Sequence, residues 1–323
     1  MILKSIAYGA LVGVGALLCA STPTVFAASL LTPYNVFVSG NFSDSNTGTG
    51  GGVGGGLAVG GVAKLGGSAA TSIAIASNLL GESLTAFPSS TTFIAAGGVT
   101  GRGTLDTGNY YFTGTDTRFA NAGSGTLDAA DPVNFTTSMA QFTTLSTTWS
   151  TDAATSGDSC TTAGTVTTCT VTKAGMNIID VADSAVASGH TVQITGVSSA
   201  DWVIINVAGA TDTLSGTITI DGYAPGGNAT NAVAEDVLFN FYQATAITLG
   251  GSVMGSVLAP TAAVTGHGGQ FDGSLVAASF TRNTNGTYFY NYYFQGGTPE
   301  PAPVACVGVG LIALALLARR HLG

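Results

Sequence analysis

From Tyr34 onward the chain is a succession of short apolar runs separated by Gly, Ser, Thr and Asn. In NVFVSGNFS, Asn35 to Ser43, the residues Val36, Val38 and Phe42 alternate with polar neighbours, the pattern of a half-buried strand. After the glycine tract Gly50 to Gly56 come apolar pairs, Leu57 with Val59, Ile73 with Ile75 and Phe93 with Ala95, each set 16 to 20 residues after the last. That spacing predicts a β-solenoid with one coil per pair, in which small inward-facing side chains stack into a shared interior. GSVLAP, Gly255 to Pro260, recurs as GSLVAA, Gly273 to Ala278, 18 residues later. Val257 is therefore expected over Leu275 and Ala259 over Ala277, with Gly255 and Gly273 at equivalent corners where a Cβ is unwelcome. WVIINVAG (Trp202 to Gly209), GTITIDG and VLFNFYQATAITLGG extend the same low-charge strand pattern.

One segment changes period. Beyond Asp131 and Pro132, the residues Phe135, Met139, Phe142, Leu145 and Trp149 recur at helical spacing, and Asp before Pro marks a helix start. The polar positions are mostly Thr and Ser, weak helix formers, so this helix depends on docking its aromatic stripe against the β body. Next comes CTTAGTVTTC, two short Thr-rich strands about an Ala-Gly turn. Its Cys160 and Cys169 are expected to form a disulfide in an oxidising compartment. Closing so small a loop stabilises by about 2.5 to 3 kcal/mol on the chain-entropy estimate. Two cysteines without a nearby histidine or third thiol make a poor zinc set.

The two ends carry separate signals. Lys4 precedes an apolar run from Ile6 to Ala20, and Val25-Phe26-Ala27 supplies small residues where a signal peptidase reads them. This predicts a signal peptide over 1–27, cut between Ala27 and Ala28. Leu18 before Cys19 argues against lipidation. At the other end, Pro299-Glu300-Pro301 precedes an apolar stretch from Val304 to Ala318 and then Arg319, Arg320 and His321. The stretch is shorter than the roughly 20 residues of a comfortable transmembrane helix, and the arginines would hold its end on the cytoplasmic side. This tripartite tail resembles the PEP-CTERM sorting signal of Gram-negative bacteria. The resemblance implies transient inner-membrane association through the C-terminal helix and cleavage near the Pro-Glu-Pro by an exosortase; a plain membrane anchor is the rival reading. The expected organisation is 1–27 signal peptide, 28–297 one β domain and 298–323 sorting tail.

Charge narrows the partners. Only 8% of residues are charged and the formal net charge is −9, so the surface repels phosphate backbones and anionic headgroups, which argues against nucleic acid. Glycine is abundant, but a hydrophobic content of 45% is enough for a folded core. Candidate chemistry is sparse: His190 and His267 sit beside glycines as turn residues, and neither GxSxG nor HExxH occurs. Glu82 and Glu235, the only glutamates in 28–297, do not form a glycosidase pair. A formal GxGxxG at Gly50, Gly52 and Gly55 lies inside the glycine tract, without the strand and helix that dinucleotide binding needs. No catalytic, cofactor-binding or metal residue is assigned. Aspartates at corners, Asp221-Gly222 and Asp272-Gly273, leave calcium as the one ion to consider, although no RTX-type ladder appears.

Taken in order, YNVFVSGNFS, GGLAVGG, WVIINVAG, VLFNFYQATAITLGGSVMGSVLAPTAAV, GGQFDGSLVAASF and YNYYF resemble the choice-of-anchor A family over about Tyr34 to Phe294. The resemblance implies a right-handed β-solenoid with a helix lying along it and an adhesive role on the cell surface or in the extracellular matrix. The cysteine hairpin, about Ser150 to Thr172, departs from the family pattern. The expected function is non-enzymatic adhesion or association with exopolysaccharide in a biofilm. An ice-binding solenoid is the alternative and requires T-x-T rows on successive coils; T-x-T occurs mainly at Thr165 to Thr172 and Thr217 to Thr219, without a coil-length period. A polysaccharide-processing enzyme would need an acidic cluster on one coil face. Tyr288, Tyr290, Tyr292 and Tyr293 could form a ring ladder for sugars, with core and edge packing the rival role.

Overall fold

Parallel pairing between strands one coil apart organises the computed structural model, which describes residues 34–44, 51–66, 73–76, 91–114, 119–121, 125–187, 189–214, 216–226, 229–266, 268–282 and 287–296. The strands form three faces of a β-solenoid. The first face runs in the spatial order β10 (Asn109–Phe112), β7 (Thr91–Ala95), β4 (Gly56–Val59), β1 (Tyr34–Val38), β24 (Leu275–Arg282), β22 (Ser256–Gly266), β19 (Val237–Asn240), β16 (Trp202–Ala208) and β14 (Met176–Ala182). The long β22 and β24 continue into the second face, which runs β17 (Thr211–Leu214), β20 (Ala246–Leu249), β22, β24, β2 (Phe42–Asp44), β5 (Ala63–Leu65) and β8 (Val99–Gly101). Two sheets make the third: β12 (Ser159–Ala163), β13 (Val166–Thr170), β15 (Thr191–Thr195) and β18 (Ile218–Ile220), then β21 (Val253–Met254), β23 (Gly269–Asp272), β25 (Thr287–Tyr290), β3 (Gly52–Val53), β6 (Ile73–Ile75), β9 (Gly103–Leu105) and β11 (Phe119–Asn121). Every one of these strand pairings is parallel except β12 with β13.

Register follows the inward side chains. Phe93, Leu57, Val36, Leu275, Val257, Phe239, Ile205 and Ile179 lie at matching positions along the first face and belong to one buried cluster. Val257 sits beside Leu275 and Ala259 beside Ala277, as the internal repeat predicts. A Cβ on Gly273 would collide with the carbonyl of Gly255. The coil length read from the other apolar pairs needs correction: Leu57 stacks on Phe93 in the first face, whereas Ile73 and Ile75 lie on the third face between β3 and β9. The three pairs are thus not successive coils, because Ile73 and Ile75 belong to a different side of the coil that separates the other two.

The strand at Tyr34–Val38 is buried on both sides rather than one. Its outward Phe37 is covered by α1 (Phe135–Thr151), with ring centroids 5.1 Å from Phe135 and 5.3 Å from Phe142. The helix starts later than Asp131-Pro132 suggests. Asn134 is the N-cap, its Oδ1 accepting from the Thr137 N–H at 3.0 Å, while Asp131 closes a local turn by accepting from the Val133 N–H at 2.9 Å. Phe142 and Trp149 are buried against the row Phe37, Ala58, Ile94, Val276 and Leu258. The disulfide Cys160–Cys169 joins directly paired residues of the β12–β13 hairpin. Its turn is Gly164-Thr165 rather than Ala-Gly, with Gly164 at φ +61.

The chain enters the solenoid at its middle. It winds from β1 out to β11, returns past the first face through α1, and winds back from β12 to β25, so that its last coil closes against its first. Polar groups hold this seam. Asn35 Nδ2 donates to the carbonyls of Gly273 at 3.0 Å and Tyr290 at 2.8 Å. Inside the solenoid, Asp44 and Arg282 stand in register and form an ion pair, both essentially buried. The glycine tract makes room for these groups: a Cβ on Gly51 would strike the Arg282 guanidinium, and one on Gly55 would strike Asn35 Oδ1 and the Tyr293 hydroxyl.

Removing one member of a buried pair strands the other in a low-dielectric interior. Arg282→Met is therefore expected to lower the unfolding free energy by about 3–5 kcal/mol, measured by urea denaturation. Arg282→Met combined with Asp44→Leu should recover much of that loss.

Candidate binding face

On the second face the outward positions form a row one residue per coil. Thr213, Thr248, Thr265, Thr281, Ser43, Lys64 and Thr100 occupy matching registers on β17, β20, β22, β24, β2, β5 and β8. All seven are at least partly exposed. Parallel strands set such a row at about 4.8 Å per step. Threonine suits it, because branching at Cβ fixes χ1 and presents methyl and hydroxyl in a constant orientation. A second outward row on the same strands, Thr211, Ala246, Ala263 and Ser279, keeps the surface low. Lys64 is the only charge in either row.

The other faces differ. On the first, Asn206 and Asn240 lie beneath the helix and are consumed by it, while Asp180, next in the row, is exposed at its edge. Asn240 Nδ2 donates to the Ser146 carbonyl and to Asn206 Oδ1, both at 2.8 Å, and Asn206 Nδ2 donates to the Trp149 carbonyl and to Asp180 Oδ1, both at 2.8 Å. This ladder fixes how far α1 slides along the sheet. The third face carries Thr168, Gln193 and Thr219 at one end and Gln270, Tyr288, Gly52, Ala74 and Thr104 further along, a sequence of unequal sizes that gives no level row.

The tyrosines do not form an exposed ladder. Tyr290, Tyr292 and Tyr293 are buried and Tyr288 is partly buried, stacked on Tyr290 with centroids 6.3 Å apart. Of the corner aspartates, Asp221 accepts from the Gly196 and Val197 N–H groups at 2.7 and 3.0 Å, which makes it a turn brace. Asp272 is buried and accepts from the Gly226 N–H at 3.2 Å. Among the described residues no group of three or more His, Cys, Asp or Glu side chains is placed to hold a metal ion. His190 is partly exposed in a turn. The signal-peptide site at Ala27 and Ala28, the sorting residues Pro299, Glu300, Pro301, Arg319 and Arg320, and His267 lie outside the described residues. Within those residues no helix is long and apolar enough to cross a membrane.

Sequence reading missed the threonine row. T-x-T at a constant interval does not reveal it, because the loops between successive steps of the row differ in length and the row passes from Thr281 to Ser43 across the seam. The usable signal is one exposed or half-exposed polar residue between two buried neighbours in each short strand, as with Ser43 in FSD, Lys64 in AKL and Thr248 in AITL.

Two neighbouring carboxyls before β16 and β19 show how burial and donors compete. Burial alone would raise Asp201, but N–H donors from Ser198 and Gly175 and the Ser198 hydroxyl outweigh it and lower its pKa. Asp236 is pushed up to about 6, by burial first and by the charge of Asp201 second.

A family model described as "Putative Ice-binding-like adhesive domain" matches residues 27–289. Two solved structures are similar to the chain. An ice-binding protein from the Antarctic ascomycete Antarctomyces psychrotrophicus shares 14% identity, with 83% of this chain and 98% of that chain covered and a TM-score of 0.41. An ice-binding protein from an Antarctic biological consortium shares 16% identity, with 84% and 92% covered and a TM-score of 0.42. Among curated proteins none matches.

A carboxyl whose pKa is higher in the folded than in the unfolded state stabilises the fold while protonated, and that contribution is lost as pH rises through the folded value. Between pH 5 and 7.5 the melting temperature of the native protein should therefore fall more than that of Asp236→Asn, as followed by circular dichroism.

Proposed function

Because the chain belongs to the family described as an ice-binding-like adhesive domain, we propose that it is the non-enzymatic adhesive module of an exported surface protein and that it holds its target with the second face. The observation that carries this is the row from Thr213 to Thr100: a level, nearly uncharged surface with regular hydroxyls matches an extended and repetitive target better than a small molecule. Neutral exopolysaccharide is the target class we favour. Hydroxyl-to-hydroxyl contacts there need no charge complementarity, in keeping with a chain that has few charges to offer. A secreted location is supported by the leader ending at Ala27. The Pro299-Glu300-Pro301 tail supports processing by an exosortase at the membrane of a Gram-negative host.

Ice is the second reading, and one feature favours it. Consecutive threonines on β17, β20, β22 and β24 repeat at strand spacing without interruption, and a rigid hydroxyl-methyl lattice can order water as well as sugar. The structure supplies one such threonine row where this reading calls for T-x-T on successive coils, since the companion row holds threonine at Thr211 and Ala or Ser on the next three strands.

The two targets are separated by the same variants. Thr265→Tyr with Thr281→Tyr raises bulk from the level surface while leaving the inward side chains intact. The double variant should lose at least about tenfold in exopolysaccharide affinity, or ~1.4 kcal/mol, with an unchanged melting temperature. A loss confined to an ice-recrystallisation assay would select ice. Release of soluble sugar fragments by the native protein would contradict a purely adhesive role.

A further inference from the structure

The end of the second face contains a carboxylate that the fold leaves unused. Asp212 stands on β17 in register with Ile247, so its side chain turns inward, where the neighbouring coils place Ile247, Val264 and Phe280. It is 4% exposed, and neither Oδ1 nor Oδ2 receives a hydrogen bond. Among the described residues the preceding coil has no strand at this level of the face; in its place is the 3-10 turn Asp183–Ala185, which brings a second carboxylate alongside. A Cβ on Gly209 would lie 3.1 Å from Asp212 Oδ1 and 3.3 Å from Asp183 Oδ2, so the two oxygens flank one small space that only glycine leaves open. Asp183 uses its Oδ1 to accept from the Ser184 N–H at 2.6 Å, and its side chain is exposed, which connects the space to solvent.

We propose that Asp212 and Asp183 bind a divalent cation at this end of the solenoid, and that calcium is the ion. A buried carboxylate with no donor, next to another carboxylate, is unfavourable unless a cation or a proton compensates it. Burial first, and then the charge of Asp183, raises the Asp212 pKa to about 6, so at neutral pH a proton does not suffice. The donors are all oxygens, the choice of a hard cation, and calcium accepts an irregular set of six to eight oxygens where magnesium demands a near-ideal octahedron. With two protein carboxylates, water entering past Asp183 completes the shell. Such a site belongs with the weak calcium sites of extracellular modules, on the order of 10⁻⁴ to 10⁻³ M. Binding fixes β17, the outermost strand of the second face and the carrier of Thr211 and Thr213, so the end of the level surface is ordered by an ion that the chain meets outside the cell.

The experiment compares the thermal unfolding of the native protein and of Asp212→Asn in EGTA and in about 10 mM calcium, roughly ten times the weaker bound of such sites, with magnesium as a second arm. Equilibrium dialysis against radioactive calcium counts bound ions. The native protein should melt higher in calcium by about 3–8 °C, given the few degrees per unit of stabilisation that a domain of this size shows, should shift less in magnesium, and should bind one equivalent. Asp212→Asn removes the buried charge without changing shape, so it should melt no lower than the native protein in EGTA, show no calcium shift and lose the bound equivalent. Asp183→Asn should weaken binding. An unchanged melting temperature in calcium, or a shift and a bound ion that persist in Asp212→Asn, would overturn the proposal.

Discussion

Register between parallel strands is the constraint on which the rest of this molecule depends. Side chains alternate in and out along each strand, so a slip of one residue would expose the aliphatic row and bury the polar one. Val36, Leu57, Phe93, Leu275 and Val257 enforce the alignment from inside on the first face. The second-face row of Thr and Ser is the outer consequence of the same alignment, carried from coil to coil by Phe42, Phe280, Val264 and Ile247 beneath it. The level alignment of the outer surface is therefore a by-product of core packing.

Each face has its own relation to polar groups. The first is closed by a helix whose sequence alone would make it weak, and the Asp180-Asn206-Asn240 ladder supplies the fixed hydrogen bonds that its Thr-rich surface does not. The second stays open and keeps its polar atoms directed outward. Polar side chains that point inward include Asn35 and the Arg282-Asp44 pair at the seam, Asn177 and Thr167 on the returning stack, and Asp212 at one end. Where two segments distant in sequence must find each other, hydrogen bonds and charge add directionality that Val and Ala lack.

Much of the fold was legible. The 18-residue repeat predicted the pairing of Val257 with Leu275 and of Ala259 with Ala277 because the two segments stay in step up to Ala259, and the register shifts only beyond it, before Ala263. The helical stripe was legible for the same reason, since Phe142 and Trp149 fall on one side of an unbroken segment. Elsewhere loop length varies from coil to coil, so Ile73 and Ile75 looked like a coil of their own although they occupy another face of the solenoid. The threonine row was hidden for that reason and for a second one: it joins Thr281 to Ser43, residues at opposite ends of the domain. The purpose of the glycine tract was equally invisible, because the bulky groups that need its space, Arg282 and Tyr293, are likewise at the far end of the chain.

The meeting of β1 and β24 at the middle has a consequence for how the molecule comes into being. A solenoid that starts at one end can lengthen coil by coil, each new rung landing on a finished neighbour. Here the first strand has one side vacant until almost the whole domain has emerged, since its partner begins at Leu275. Such distant pairing is slow to form because a long loop must close first. This topology favours assembly as two stacks growing in opposite senses, with the central junction, where Asn35 donates to the carbonyls of Gly273 and Tyr290, completed last.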